Sequence, residues 1–395
     1  MAGTASTHRP HLTTVLREEE RVTPLELFFD LVFVLALTQC TALMAARPTW
    51  AGVGEGLLVL GVLWWAWVGY AWLTSVVDPE EGSVRLVMFA AMAALLVAAL
   101  AVPGAFGREA LVFALAVGVV RAMHILLFVV ASRDDPGLRH ATARLTISTT
   151  AGVGLLVLAS FTDGTLQAAL WAVALSVDMA GPLFIDATGW RLNAGHFAER
   201  HGLILIIALG ESIVAIGVGA NAGVDLGIVV AAILGVAVAA AQWWLYFDVV
   251  ALVAARRLEN AQGRERNEIA RDSFSFLHLP MIAGIVLVAL GMKKTLGHVE
   301  DPLRLVPAAA LFGGTAVYLL AHVAFRWRNI HTLNRQRLAV AAVLLAAVPL
   351  GVEIPSLGST ALLAALLVAL VAYEAIRFGE QRERLRRRLL HEAAQ

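Results

Sequence analysis

The 395-residue chain is 59% hydrophobic and 15% charged, and its 30 Lys and Arg residues balance 30 Asp and Glu residues. Soluble domains are about 45–50% apolar and about 25% charged, so this composition excludes an ordinary soluble domain and indicates an integral membrane protein. A net charge of zero gives no overall attraction to nucleic acid. The single cysteine, Cys40, excludes an intramolecular disulfide.

Residues 1–21 are polar and end in the charged stretch REEER, so they predict a cytoplasmic tail and not a signal peptide. The chain that follows contains apolar segments of the length, about 20 residues, that a bilayer-spanning helix needs. Residues 379–395 form a basic cytoplasmic tail. The twelve predicted spans are 24–44, 52–76, 84–103, 109–131, 143–161, 165–185, 198–219, 225–253, 273–293, 304–325, 337–354 and 360–378.

The distribution of Lys and Arg predicts the orientation. The two tails and the even-numbered loops together carry 24 of the 30, and Arg121 lies within a span. The five at the odd-numbered loops are Arg47, Arg108, Lys293, Lys294 and Arg304. Because cytoplasmic loops are enriched in Lys and Arg, both termini are expected in the cytoplasm.

The twelve spans also predict an internal repeat, with residues 22–190 as the first six-helix unit and 191–378 as the second. Residues at corresponding places in the two units are Trp64-Trp65 and Trp243-Trp244, and His124 and His322. Units with an even number of spans have the same orientation, so a site or pathway between them is expected. The alternative is a chance alignment of segments rich in Ala, Val and Leu.

Ionisable side chains within the predicted spans are candidate functional groups, because a charge at the bilayer centre costs about 2.5–3.5 kcal/mol on insertion scales. Glu26 and Asp30 in span 1 are four residues apart and share a helix face, an arrangement that suits a cation or a proton relay. Alternatively, Glu26 caps the helix in the capping box TPLE, and an arginine such as Arg121 neutralises Asp30. Glu199, near the start of span 7, is a further candidate.

Three more candidates lie in the second unit. Glu211 is in the middle of span 7, flanked by Gly and Ser, which permit close helix packing and hydrogen bonding. Asp248 follows an aromatic segment of the kind found at membrane interfaces, so it alternatively lies near water. His278 precedes Pro280, which frees a backbone carbonyl as a cation ligand; the alternative is a buried structural histidine.

The segment HFAERH at 196–201 contains two histidines near a glutamate, as zinc motifs do. His196 and His201 are five residues apart, about 140° around a helix, and cannot chelate one metal from one face. No metal site is predicted, although His196 and Glu199, three residues apart, could still bind a metal together with a ligand from another span. No phosphate-binding loop or dinucleotide motif is present. The sequence leaves any cofactor unknown.

Four segments carry a resemblance to a known family. RVTPLELFFDLVFVLALTQ at 21–39 closely resembles the opening signature of the bacterial low temperature requirement protein A (LtrA) family. Segments that resemble its other recurrent blocks are HFAERHGLILIIALGESIVAIG at 196–217, WWLYFD at 243–248 and HLPMIAG at 278–284. The resemblance covers about residues 21–380 and implies a multi-spanning bacterial inner-membrane protein. The family name records a cold-growth phenotype and not an activity.

The buried carboxylates favour a transporter or channel for a proton, a cation or a small solute. One alternative is a membrane-embedded enzyme acting on a lipid or hydrophobic metabolite, in which carboxylates and histidines from spans 1, 7, 8 and 9 converge. Another is a non-catalytic membrane factor in cold adaptation. The expected partners are the lipid bilayer and a small ion or solute, a homo-oligomer is left open, and the substrate is not named by the sequence.

Overall fold

A computed structural model of the chain describes residues 21–184, 190–219 and 225–393. Twelve helices in these ranges are long and apolar enough to cross a bilayer. They are called spans 1 to 12 and comprise Pro24–Ala46, Trp50–Thr74, Gly82–Gly104, Ala110–Ala131, Pro136–Ala159, Gly164–Phe184, Ala194–Gly217, Leu226–Asn260, Gly263–Gly297, Leu305–Ile330, Arg335–Val352 and Ser356–Glu380. The prediction of an all-α membrane protein with twelve spans is confirmed.

Several of the helices begin at residues whose side chains cap them. The predicted capping box of span 1 is present: the backbone N–H of Thr23 donates to the Glu26 carboxylate at 2.9 Å, and the Thr23 hydroxyl accepts from the Glu26 N–H. Asp225 and Asn334 cap the helices of spans 8 and 11 in a similar way. Span 9 begins at Gly263, ten residues before its predicted start at residue 273. Its helix includes a charged segment that precedes the apolar residues from which the span was predicted.

The cap of span 5 gives a prediction for pH-dependent stability. The Asp135 carboxylate accepts from the backbone N–H groups of Leu138 and Gly137 at 3.2 and 3.0 Å. The Leu138 bond chiefly, with Arg191 and the Gly137 bond, holds the pKa of Asp135 below its ordinary value. We expect Asp135→Ala to lower the free energy of unfolding by about 1 kcal/mol at pH 7, and Asp135→Asn, which also caps, to lower it less.

Because this folded-state pKa is lowered, the stabilisation from the charge is present above the ordinary pKa and is lost as the pH falls through the folded value. The difference between the wild type and Asp135→Asn should therefore shrink as the pH falls below the ordinary pKa of Asp and disappear once the pH is below the folded-state pKa. Unfolding in detergent at several pH values measures this difference. A difference that grew on acidification would contradict the prediction.

The contacts between spans follow a similar order in the two halves of the chain. In the first half, span 1 packs on spans 2 and 3, span 3 on span 4, span 4 on span 5, and span 2 on span 6. In the second half, span 7 packs on spans 8 and 9, span 9 on span 10, span 10 on span 11, and span 8 on span 12. The halves meet where span 1 contacts spans 7 and 9 and span 2 contacts the same pair.

Span 9 contains an irregular turn that binds it to span 2. Residues Ala270–Phe276 form a π-helix shortly before Pro280, which has no N–H to donate. The indole N–H of Trp64 donates to the Ser275 carbonyl at 2.9 Å, and that of Trp72 donates to the Ser275 hydroxyl at 2.9 Å. Trp64 of span 2 thus donates to a backbone carbonyl of the irregular turn in span 9, and Trp72 binds the side chain of the same residue.

Candidate functional site

A buried cluster of charges joins span 1 to span 7. Both carboxylates of span 1 contact Arg200: its Nη1 donates to Glu26 Oε1 at 3.0 Å, and its Nη2 donates to Asp30 Oδ1 at 2.7 Å. His196 Nε2 lies 2.8 Å from Glu26 Oε1. All four side chains are completely buried. This ion cluster therefore places the two sequence-predicted acids of span 1 in one site between the halves of the chain.

The spacing of the residues explains the cluster. Glu26 and Asp30 are four apart on span 1, and His196 and Arg200 are four apart on span 7, so each pair lies on one helix face. A planar guanidinium offers several donors in a fixed fork, which lets Arg200 bind both carboxylates at once. The two carboxylates and the one guanidinium carry one more negative than positive charge, and His196 adjoins them as a group that can take up a proton.

Span 2 closes the ion cluster. Trp67 donates its indole N–H to Asp30 Oδ1 at 2.8 Å, and its ring lies 5.4 Å from the guanidinium carbon of Arg200. Thr74 accepts from Arg200 Nη1 at 3.2 Å. Asp30 Oδ2, by contrast, is buried with no hydrogen-bond donor among the described residues. Asp30 therefore keeps one free acceptor oxygen inside the membrane domain.

The partner of Asp30 corrects one interpretation of the sequence. Arg121 does not neutralise Asp30; it donates to Asp178 Oδ1 at 2.8 Å and to the Thr149 hydroxyl at 2.6 Å, joining spans 4, 5 and 6. Arg200 takes that place. The signal in the sequence that could have found it is its four-residue spacing from His196.

Glu211 lies in a different environment on the same span 7. Its side chain is 1% exposed, and its carboxylate accepts a hydrogen bond of 2.5 Å from the Thr38 hydroxyl of span 1. Lys293 attracts this carboxylate electrostatically without forming a salt bridge with it. Within the described ranges, no Arg, Lys or His forms a salt bridge with Glu211, whereas Glu26 and Asp30 both have one. Glu211 is thus a buried acid that bridges the two halves without a paired cation.

Asp248 belongs to a third group of charges, at the end of the bundle where span 8 bends and span 12 ends. Arg382 donates to Asp248 Oδ2 at 2.7 Å and to Glu374 Oε2 at 2.5 Å. Arg337 binds Glu374 through two bonds of 3.0 and 2.9 Å, and its Nη1 lies 3.0 Å from His322 Nδ1. Asp248 is therefore neutralised by an arginine that the sequence assigned to the basic tail.

His278 lies among aromatic rings between these groups. Its Nδ1 is 3.0 Å from the Ser273 carbonyl, which can only accept, so Nδ1 carries the hydrogen. Nε2 of the neutral ring then accepts from the Tyr246 hydroxyl at 2.8 Å. The ring centroid of His201 lies 5.2 Å away. These contacts are those of a satisfied buried histidine that connects spans 7, 8 and 9.

The structure therefore brings some predicted residues together and keeps others apart. Glu26 and Asp30 share the ion cluster, whereas Glu211, Asp248 and His278 each have separate partners. Glu199 lies outside these groups and accepts from the backbone N–H of Val22 at 3.1 Å. Residues that sequence reasoning did not assign to a site include Thr38, Trp67, Arg200, Arg337 and Arg382.

Among the residues that the structure describes, no three His, Cys, Asp or Glu side chains are grouped as a metal site requires. His196 and His201 point to different partners: His196 contacts Glu26, and His201 Nδ1 lies 2.8 Å from the Phe197 carbonyl of its own helix.

Comparisons with known proteins identify the family. Residues 21–372 match the family described as bacterial low temperature requirement A protein. A curated protein of Rhizobium meliloti (strain 1021), named Uncharacterized protein RA0937, is 31% identical over 309 residues, which is 74% of each chain. No solved structure matches the chain. Together with the twelve spans, the match over nearly all of the membrane domain shows that the chain is a multi-pass membrane protein belonging to the bacterial low temperature requirement A (LtrA) family.

Proposed function

We propose that this protein transports a proton or another small cation across the membrane, with Glu211 as the group that binds the cation. The observation that carries the proposal is the position of Glu211, buried, without a paired cation, and hydrogen-bonded to the other half of the chain. An ionised carboxylate in the membrane domain is costly unless it is paired, so such a group takes up a proton or a cation.

The ion cluster provides a second binding position for the cation on its path between spans 1 and 7. It joins the same two spans as the Thr38–Glu211 contact, and its free acceptor is Asp30 Oδ2. At about 1.5 Å per residue, the eight residues from Asp30 to Thr38 separate the two sites by roughly 12 Å along span 1. A cation that moves between spans 1 and 7 would meet Asp30 and Glu211 in turn. Relative movement of the two spans would then connect these two carboxylates or separate them.

The order of helix contacts supports a route between two halves. The five pairings of the first six spans described above all have counterparts in the last six, as a repeat of two six-helix units would give. We place both termini in the cytoplasm of a bacterial inner membrane, because 24 of the 30 Lys and Arg residues lie on that side of the predicted topology. The ion cluster then faces the cytoplasmic end of the bundle.

The test is a flux measurement on the purified protein in proteoliposomes that contain a pH-sensitive dye. With a potassium gradient and valinomycin setting the membrane potential, the wild type should acidify or alkalinise the lumen according to the sign of the potential. We expect Glu211→Gln to slow this flux at least about tenfold, a loss equal to about 1.4 kcal/mol, because the amide cannot take up the cation. Glu211→Asp should retain part of the flux.

The control is Glu380→Gln, which removes a carboxylate whose side chain is 89% exposed at the end of span 12. This variant should transport like the wild type. Flux through Glu211→Gln equal to that of the wild type would exclude Glu211 as the binding group. A wild-type protein that moves no proton, Na⁺ or K⁺ would contradict the proposed transport.

A further inference from the structure

A second feature, separate from Glu211 and the ion cluster, is a cavity of about 410 Å³ between spans 8, 10, 11 and 12. It opens at the end of the bundle where span 10 ends and span 11 begins. Its polar lining consists of Arg326, Asn329, Asn334, Gln336, Arg337, Glu374 and Arg382. We call it the arginine cavity.

The charges of the arginine cavity do not cancel. Three guanidinium groups line it, and Glu374 is the one carboxylate in that lining. Asp248, just outside the lining, pairs with Arg382. The two carboxylates thus balance two of the three arginines, Arg337 and Arg382, with N–O distances of 2.5 to 2.9 Å. One positive charge remains.

Arg326 carries this charge. Its Nε donates to the Thr332 hydroxyl at 2.8 Å, which leaves the Nη1 and Nη2 groups for another partner. Within the described part of the chain, no carboxylate forms a salt bridge with Arg326. Its side chain is half-buried at the wall of the cavity. A guanidinium with free donors in a concave polar site is a suitable partner for a phosphate oxygen pair.

The rim of the cavity is apolar. Val250, Ile330, Leu333 and Phe378 belong to its lining, and Ile330 and Leu333 are 38% and 53% exposed. These side chains lie at the end of membrane-spanning helices, where acyl chains meet head groups. A charged cavity bordered by apolar side chains at this depth matches the two parts of a phospholipid.

We propose that the arginine cavity binds an anionic phosphate group through Arg326. The shared chemistry belongs to the phosphodiester of an anionic lipid and to free inorganic phosphate. The apolar rim favours the lipid over free phosphate. The acyl chains of a bound lipid would cover the exposed side chains of Ile330 and Leu333, whereas free phosphate has no acyl chains and would leave them exposed. The bound phosphate neutralises the remaining charge and holds spans 8, 10, 11 and 12 together. The proposal does not depend on cation transport.

The test measures thermal unfolding of the purified full-length protein in a neutral detergent by its tryptophan fluorescence. Phosphatidylglycerol, phosphatidylcholine or sodium phosphate is titrated at constant ionic strength. We expect phosphatidylglycerol to raise the unfolding temperature at lower concentration than phosphatidylcholine. In Arg326→Gln, the phosphatidylglycerol concentration at half-effect should rise about tenfold or more.

The matched control is Arg335→Gln, which removes the same charge from the exposed start of span 11, outside the cavity lining. Arg335→Gln should respond to phosphatidylglycerol like the wild type. Should Arg326→Gln fold poorly, Arg326→Lys keeps the charge and should keep the preference for the anionic lipid.

Each outcome decides a part of the proposal. An equal response to both lipids, or an equal loss in the Arg326 and Arg335 variants, would overturn it. Stabilisation by sodium phosphate at concentrations similar to those of the lipid, lost in Arg326→Gln, would uphold the phosphate site and assign it to free phosphate. Stabilisation by phosphatidylglycerol alone would assign it to the lipid.

Discussion

Arg200→Met is expected to lower the free energy of unfolding by about 3–5 kcal/mol at pH 7, because it leaves two buried carboxylates without their shared cation. Glu26 and Asp30 are fully buried, and each accepts a bond from Arg200 of 3.0 Å or less. Methionine fills much of the volume of arginine, so the loss of stability reflects the missing charge more than a change in packing. Equilibrium unfolding of the detergent-solubilised protein measures it.

Two comparisons separate this effect from a general cost of losing an arginine. Arg384→Met breaks an exposed pair with Glu380 and should change stability by less than about 1 kcal/mol. Glu26→Gln and Asp30→Asn, combined with Arg200→Met, should recover most of the loss, since no uncompensated charge then remains. The deficit of Arg200→Met alone should also shrink as the pH falls, because protonation neutralises the two carboxylates. A deficit that is independent of pH and of these two substitutions would contradict the role of charge.

Gly284→Ala is expected to destabilise the protein by about 3 kcal/mol, at the upper end of the usual cost of overpacking. A Cβ atom at Gly284 would lie 2.6 Å from the carbonyl oxygen of Gly314 and 2.9 Å from the backbone nitrogen of Tyr318. Both contacts are with the backbone of span 10, which cannot move aside as a side chain can. Close backbone approach at small residues is a main source of helix association in membranes.

Span 9 provides the matched control. A Cβ atom at Gly297, near the end of the same helix, would meet nothing within 4 Å. Gly297→Ala should therefore leave stability unchanged or raise it by up to about 1 kcal/mol, because alanine favours helix over glycine. Thermal unfolding of the two variants side by side measures the contrast. If both alanines were tolerated equally, the close packing of spans 9 and 10 would not limit stability.

The site was partly predictable from the sequence. Glu26 and Asp30 were identified from a four-residue spacing on one helix, and the capping box was identified from TPLE, since both depend on local geometry alone. Glu211 was identified from its place in the middle of an apolar segment. None of these local signals indicated Thr38 as the partner of Glu211, because a threonine in an apolar helix commonly bonds to its own backbone. The carbonyl oxygen of Val34 lies only 3.0 Å from the Thr38 hydroxyl oxygen and is the alternative acceptor for its single proton.

By itself, the sequence determined the membrane class, the twelve spans and the resemblance to the LtrA family, because hydropathy and local motifs are properties of consecutive residues. The tertiary structure decided which charges are paired. Arg200 and Arg382 stand at the ends of spans, where an arginine serves equally well as a topology signal or as an ion-pair partner. Only the packing of span 1 on span 7 places Arg200 within 3.0 Å of two carboxylates. Glu211, on the same span 7, forms no salt bridge among the described residues. Such contacts depend on which helix faces meet in space.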